Sequence, residues 1–405
     1  MMNYSNETKR ANKPNELMRT MSPMGLVRSM SLIGPILLIA LLFALSSCSK
    51  GSDEDPAEQP ATTEQPQEQP ILFTGSMPEP TAVVRSASLS SAGQTTFNVW
   101  GYKNDGYDAG NYTSYQTVIN NYVVNWTSNS AGTTTSNSSG WEYVGQAANQ
   151  TIKFWDWSAN AYRFFAVTGW SGEAAPASVG EYDAVKAYRA GENAVSMLAD
   201  ASSTTEMEKT PYFSHLWFST GDPVTYPDKQ FGRPVVLEFL KPYARVRFIF
   251  MYTYPREGIE LTEIKFKPSD GTKIVLKGTV TISYPIKGTA KSESFTMTPG
   301  DAGDQLDYFD EDYDPEDDGK VYSQTNNGWY MVLPNKEQGS YTMSLEINSA
   351  EKTAVVPANY MQWQPGYSYT YIFKITDAGG VEIGWVESAV TPWTEMEADR
   401  TVYNW

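Results

Sequence analysis

The sequence predicts an all-β protein built from two tandem β-sandwich domains, and three observations carry that prediction. Aromatic and apolar residues recur with period two in many short segments, the mark of half-buried strands. Turn signals such as Asp270-Gly271, Pro365-Gly366 and Ala378-Gly379-Gly380 separate those segments. No run of 10–15 residues between them has a helical period, which argues against a doubly wound α/β fold. The 26 Tyr, 16 Phe and 12 Trp suit amphipathic sheet surfaces better than helical bundles. At 405 residues the chain exceeds one ordinary domain, so two are expected.

The first segment is not part of that fold. An apolar run at 32–45 (LIGPILLIALLFAL) follows Arg28 and precedes Ser46-Ser47. A basic flank, a core of about 14 apolar residues and small residues before a cut site describe a secretory signal spanning 1–47, short for a membrane span. Met21, Met24 and Met30 are alternative starts within its long leading region. The other reading is a transmembrane anchor with an incidental cysteine. Leu45-Ser46-Ser47-Cys48 resembles the bacterial lipobox, which implies cleavage before Cys48 and acylation of its thiol; two or three acyl chains anchor far more firmly than one. Residues 49–70 hold no aromatic residue and no Val, Ile or Leu, and are rich in Pro, Glu and Gln. Such a stretch buries nothing, so 48–70 reads as a lipidated, disordered tether with a reach of roughly 70 Å at about 3 Å per residue. Its Ser52-Asp53-Glu54-Asp55 cluster resembles the acidic export signal of Bacteroidetes surface lipoproteins; a plain solvated tether is the alternative.

Strands are expected from residue 71 onward. Short candidates lie at 71–73 and 82–84, and Phe97-Asn98-Val99-Trp100-Gly101-Tyr102 alternates cleanly. Further strands are expected at 117–126, 151–155 and 161–167, with an exposed loop at 127–140. Residues 194–209 are the best candidate for a helix or a polar excursion. Later strands are expected at 235–239, 245–252, 259–266, 272–284, 292–297, 328–333, 340–347, 352–356, 367–375 and 381–386. A faint internal echo places Trp157 ahead of Tyr162-x-Phe164 and Trp363 ahead of Tyr369-x-Tyr371. These signals divide the mature chain into an N-terminal sandwich at 71–234, a C-terminal sandwich at 235–388 and a tail at 389–405.

Composition excludes several chemistries. One Cys cannot form an internal disulfide or a CxxC pair, and one His cannot supply a multi-histidine metal site. A Ser-His-Asp or Cys-His mechanism would have to run through His215, which sits among aromatic residues and reads as a packed or surface side chain. A net charge of −17 disfavours nucleic acid as a partner. No glycine-rich phosphate loop is present. With 47 acidic residues, carboxylate pairs are uninformative. In the acidic run 307–318, Asp310, Asp312 and Asp314 match the opening of a calcium loop, but Pro315 and Val321 stand where Gly and the bidentate Glu belong. A solvated loop accounts for the run, so neither metal nor cofactor is expected. The abundant rings also invite a glycan-binding reading, although period-two placement already assigns most of them to packing.

Both ends of the fold speak to assembly. Arg85 closes the segment 71–85, and a trypsin-like cut there would detach it. If that segment is an edge strand, its loss opens an apolar groove for strand addition from another chain. The tail beyond 386 carries spaced anchors at Val390, Trp393, Val402, Tyr403 and Trp405, a pattern suited to a donor strand. The alternative is that both ends pack on their own domains.

Taken together, the lipobox and acidic tether, the Phe97–Tyr102 strand, the Trp363-Gln364-Pro365-Gly366-Tyr367-Ser368-Tyr369-Thr370-Tyr371-Ile372-Phe373 segment and the late Val390-Thr391-Pro392-Trp393 resemble the fimbrillins of Bacteroidales. That resemblance spans most of the mature chain. It implies transthyretin-like sandwiches, export as an outer-membrane lipoprotein held by lipid on Cys48, and arginine-specific removal of an N-terminal strand near Arg85. It further implies polymerisation with other pilin subunits by strand exchange into a surface fimbrium that serves adhesion to a host or bacterial ligand, without catalysis. The rival reading is a monomeric glycan-binding surface lipoprotein.

Overall fold

The computed structural model describes residues 68–76, 93–127, 140–252, 261–272, 274–300, 305–306, 311–313, 320–322, 330–336, 339–376 and 382–392. Their regular structure is almost entirely β. In chain order the strands begin with β1 (Phe73–Ser76), β2 (Thr96–Asp108), β3 (Asn111–Trp126), β4 (Trp141–Glu142), β5 (Ala161–Val167), β6 (Trp170–Ala174), β7 (Ala187–Gly191) and β8 (Ala194–Asp200). A short helix α1 (Thr204–Lys209) leads to β9 (Phe213–Ser214), β10 (Trp217–Ser219), β11 (Val235–Leu240), β12 (Ala244–Tyr252) and β13 (Leu261–Pro268). There follow β14 (Ile274–Val275), β15 (Lys277–Ser283), β16 (Ser294–Pro299), β17 (Gln305–Leu306), β18 (Glu311–Tyr313), β19 (Lys320–Tyr322) and β20 (Tyr330–Val332). The last four are β21 (Tyr341–Ile347), β22 (Ala350–Val356), β23 (Tyr367–Thr376) and β24 (Glu382–Pro392).

The first sheet runs β1-β11-β9-β5-β2-β3-β4, with β10 also on β5. The second runs β16-β15-β8-β7-β6. β5 explains how they pack. Its sequence AYRFFAV is buried at every position, as a central strand covered on both faces must be. Phe165 and Val167 face the second sheet, where they join Val195, Met197, Val280 and Ile282, and Phe165 stacks on Tyr284 with centroids 4.0 Å apart. Tyr162, Phe164 and Ala166 face the other way, into a separate core with Phe97, Trp141, Trp217 and Phe239. Gly101 sits where that core is tightest. A Cβ added there would stand 2.5 Å from the Phe164 ring, so only glycine fits.

A second sandwich pairs the sheet β19-β12-β23-β24, which also carries β20, with the sheet β18-β13-β21-β22. Phe248 meets Phe266 across the gap at 4.8 Å, and Phe266 meets Tyr371 at 5.5 Å. β12 and β23 run parallel over eight residues, from Arg245↔Ser368 to Tyr252↔Ile375. The first two sheets draw strands from both sides of residue 234: β11 pairs with β1 and β9, and β15 pairs with β8.

Several elements differ from expectation. Residues 194–200 form a strand, not a helix, because β7 and β15 flank it on both sides and satisfy its backbone. Helix begins only at Thr204, where the Ser203 hydroxyl accepts the Glu206 amide at 3.4 Å. β2 and β3 are longer than the alternating cores that announced them, and their polar extensions meet in a two-residue turn with Asp108 opposite Asn111. The last strand runs to Pro392 and not Val386, because β23 pairs with it throughout. The tryptophan placed like Trp363 is Trp155, two residues before Trp157. Trp155 packs on Tyr162 at 4.8 Å, whereas Trp157 is exposed. In each copy the amide after the tryptophan, Asp156 or Gln364, donates to the strand tyrosine, Tyr162 or Tyr369. The candidate strand at 82–84 and most of the expected loop at 127–140 lie outside the described residues.

The β2–β3 turn yields a prediction. Ala109 and Gly110 have φ of 46° and 89°, the left-handed pair of a tight hairpin. Alanine tolerates that region poorly, so Ala109→Asn should stabilise the protein by about 0.5–1 kcal/mol. Urea unfolding checks it; no gain would mean that the side chain at 109 does not limit the turn.

Candidate functional site: the seat of the first strand

Residues 69–76 form an extended segment held on two sides. On one side the Ile71 amide donates to the Lys153 carbonyl at 2.7 Å, and the Trp155 amide donates to the Gln69 carbonyl at 2.9 Å. On the other side β1 pairs in parallel with β11, Phe73↔Val235 through Ser76↔Glu238, and the Val235 amide donates to the Leu72 carbonyl at 2.8 Å. The two strands are far apart in sequence, so their parallel pairing needs no tight turn between them.

Side chains lock the same segment. Ile71 and Phe73 are fully buried. Phe73 meets Tyr143 at 5.8 Å and Phe164 at 5.6 Å, both edge-on. The Tyr143 hydroxyl donates to the Ile71 carbonyl at 2.9 Å and accepts the Lys153 amide at 3.1 Å. Burial pushes that phenol up to about 12, so it stays neutral and keeps donating. Burying these two apolar side chains contributes about 1.5–3 kcal/mol each. The segment is therefore a well-seated plug. Its hold is non-covalent everywhere except at its two chain ends. If it left, the seat would expose an apolar slot flanked by unpaired amides and carbonyls, which suits another extended segment with large apolar residues two apart.

The expected site residues are distributed as follows. Cys48 and Arg85 lie outside the described residues, as do Trp393, Val402, Tyr403 and Trp405 of the tail. Val390 lies within β24, opposite Tyr369, so the described part of the presumed tail is an ordinary edge strand of its own sheet. Asp310 and Asp314 lie outside the described residues, and Asp312 belongs to β18, which pairs with β13. Among the described residues no group of three or more His, Cys, Asp or Glu is placed to hold a metal ion. His215 Nδ1 contacts Glu293 Oε1 at 2.5 Å, and Glu293 Oε2 accepts the Leu216 amide at 2.8 Å. Burial raises the Glu293 carboxyl, but its bonds to His215 and Leu216 outweigh that and hold it below the usual carboxylate range. This pair lines a cavity of about 420 Å³ together with Phe213, Leu240, Lys291 and Tyr367.

Sequence reading singled out 71–85 as one removable unit but missed what receives it. Lys153, Trp155, Tyr143 and β11 carry no local mark of that role, since each reads as ordinary strand or loop.

No family model matches the chain, and no curated protein matches it. Similar solved structures include a fimbrial protein from Bacteroides vulgatus, at 14% identity over 80% of this chain and 100% of that one, with a TM-score of 0.36. They also include the fimbrial anchor protein Mfa2 from Porphyromonas gingivalis, at 10% identity over 80% of this chain and 98% of that one, with a TM-score of 0.27.

Proposed function

We propose that this chain is a structural subunit of a surface fimbrium that serves adhesion and works by assembly, not catalysis. In this reading it is exported as a lipoprotein on Cys48 and held in the outer membrane. A cut at Arg85, within the 77–92 connection, severs β1 from the rest of the chain, and a strand from another subunit displaces it from its seat; the chain beyond Pro392, with Trp393, Val402, Tyr403 and Trp405, is the candidate donor. The seating of β1 carries the proposal. It is a short strand paired to a sequence-distant partner, buried by two large side chains, and joined onward only through the connection that contains Arg85. Cutting that connection breaks no hydrogen bond of β1, so the plug would remain until a competing strand displaced it.

An arginine-specific protease provides the test. Treated protein should lose 48–85 and form SDS-resistant ladders, whereas Arg85→Ala should stay intact and monomeric. Wild-type protein that is cut after Arg85 and remains strictly monomeric would overturn the proposal.

A further inference from the structure

Between β3 of the first sheet and the β6–β8 edge of the second lies a cleft of about 380 Å³ that the assembly reading does not use. Its inner wall is aromatic: Trp100 and Phe165 are buried, and the half-buried Trp170 stands edge-on to Trp100 at 4.8 Å. Its rim is polar and carries Asn120, Asn121, Arg189 and Glu192.

These groups are held in place but not used up. Glu192 Oε1 accepts the Tyr115 hydroxyl at 3.1 Å, which leaves its second oxygen. Arg189 spends its Nε on the Gly191 carbonyl at 3.3 Å, which leaves its terminal nitrogens. Asn121 accepts from Asn98 through Oδ1 at 2.8 Å, which leaves its amide hydrogens. Behind them, the Tyr102 hydroxyl donates to Asn193 Oδ1 at 2.8 Å. The Trp170 indole N–H is buried without a hydrogen-bond partner. An orphaned buried donor on a cleft wall asks for an acceptor. Gly172 is its neighbour on the cleft lining: a Cβ there would stand 3.9 Å from that nitrogen, in ordinary contact.

The donor and acceptor set narrows the ligand. Glu192 opposes an anion, Arg189 opposes a cation, and the rim amides penalise a wholly apolar guest. A flat indole edge beside mixed donors and acceptors suits a ring with one apolar face and a rim of hydroxyl groups. The volume lies at the small end of ligand pockets, enough for about one such ring. We propose that this cleft binds a neutral pyranose residue of a glycan. Hydroxyl groups would bridge Arg189 and Glu192, and a ring or hydroxyl oxygen would accept from Trp170. The site is complete in the uncut chain, so the inference does not rest on strand exchange.

The test uses the full-length protein in a detergent without a sugar headgroup. Methyl glycosides of glucose, galactose, mannose and N-acetylglucosamine are titrated by tryptophan fluorescence and saturation-transfer NMR. At least one should bind saturably below about 50 mM. The double variant Arg189→Ala/Glu192→Ala, whose side chains are exposed, should weaken that binding about tenfold with an unchanged thermal midpoint. Trp170→Phe, which keeps a ring but removes the donor, should weaken it several-fold. Trp157→Ala, an exposed tryptophan outside the cleft, should leave it unchanged. Absence of saturable binding by all four sugars, or binding that survives both cleft substitutions, overturns the proposal.

Discussion

Arg163→Ala is expected to destabilise the protein by about 2–4 kcal/mol, at or above the upper end of ordinary single substitutions. Arg163 lies within β5 and is fully buried, yet it donates to neutral acceptors. It donates to Asn104 Oδ1 at 3.0 Å and to the carbonyls of Pro285, Ala290 and Gly288 at 2.9, 2.6 and 3.5 Å. The rings of Tyr112 and Phe218 take its faces at 5.2 and 4.7 Å. Burial lowers the pKa of the guanidinium from its usual value, but the nearby Tyr112 and Tyr226 oppose that shift. The side chain pins the β15–β16 connection to the first sheet, and Asn104 reinforces it by donating to the Ile286 carbonyl at 2.9 Å. Truncation removes every one of these donors at once and leaves the buried Asn104 Oδ1 without its partner, while the Pro285, Gly288 and Ala290 carbonyls are partly exposed and turn to water. Arg163→Lys keeps the charge but loses the planar fork, and should recover only part of the loss. Urea unfolding of the three proteins measures both effects. A loss below about 1 kcal/mol for the alanine variant would show that water replaces the guanidinium, and that the pin is dispensable.

Phe73→Ala should cost about 3–5 kcal/mol of stability, because the Phe164 ring is fixed by β5 and the Tyr143 ring by its hydroxyl bonds to Ile71 and Lys153, so neither can close the space. Its second effect is the more telling. Once the chain is cut within 77–92, β1 is held only by its seat, so the same substitution should speed its displacement. Exchange of a labelled 68–76 peptide into cut protein reads this directly and should be at least tenfold faster for Phe73→Ala. Thr74→Ala, one residue on and pointing out of the core, should change stability by less than about 0.5 kcal/mol and leave exchange alone. Equal exchange rates for Phe73→Ala and wild type would mean that main-chain pairing alone retains β1.

Much of the local architecture was legible. The alternating rings of 97–102 and 367–375 marked β2 and β23 because a half-buried strand shows its apolar side chains at period two, and the nearly continuous apolar run of 161–167 marked β5, which is buried on both faces. The first strand was legible as well, since the apolar triplet 71–73 after a polar tether is a local feature. The length of β24 was not: Val390 reads as a tail anchor until β23 is seen to pair with it. The 194–209 segment failed for a related reason, as Ala, Met and Leu suit a helix and only flanking strands turn 194–200 into a strand. Arg163 hid behind alternation, for a charged residue between Tyr162 and Phe164 reads as pointing to solvent.

The sequence by itself determined an all-β chain, the faces its strands bury and the elements that can be strands at all, because those properties depend on residues two apart. Only the tertiary structure decided which strand lies beside which: β1 on β11, β15 on β8, and Arg163 against the 285–290 connection. Pairing partners compete over the whole chain and are selected by how well two distant surfaces satisfy each other's backbone and side chains, and no local spacing encodes that outcome.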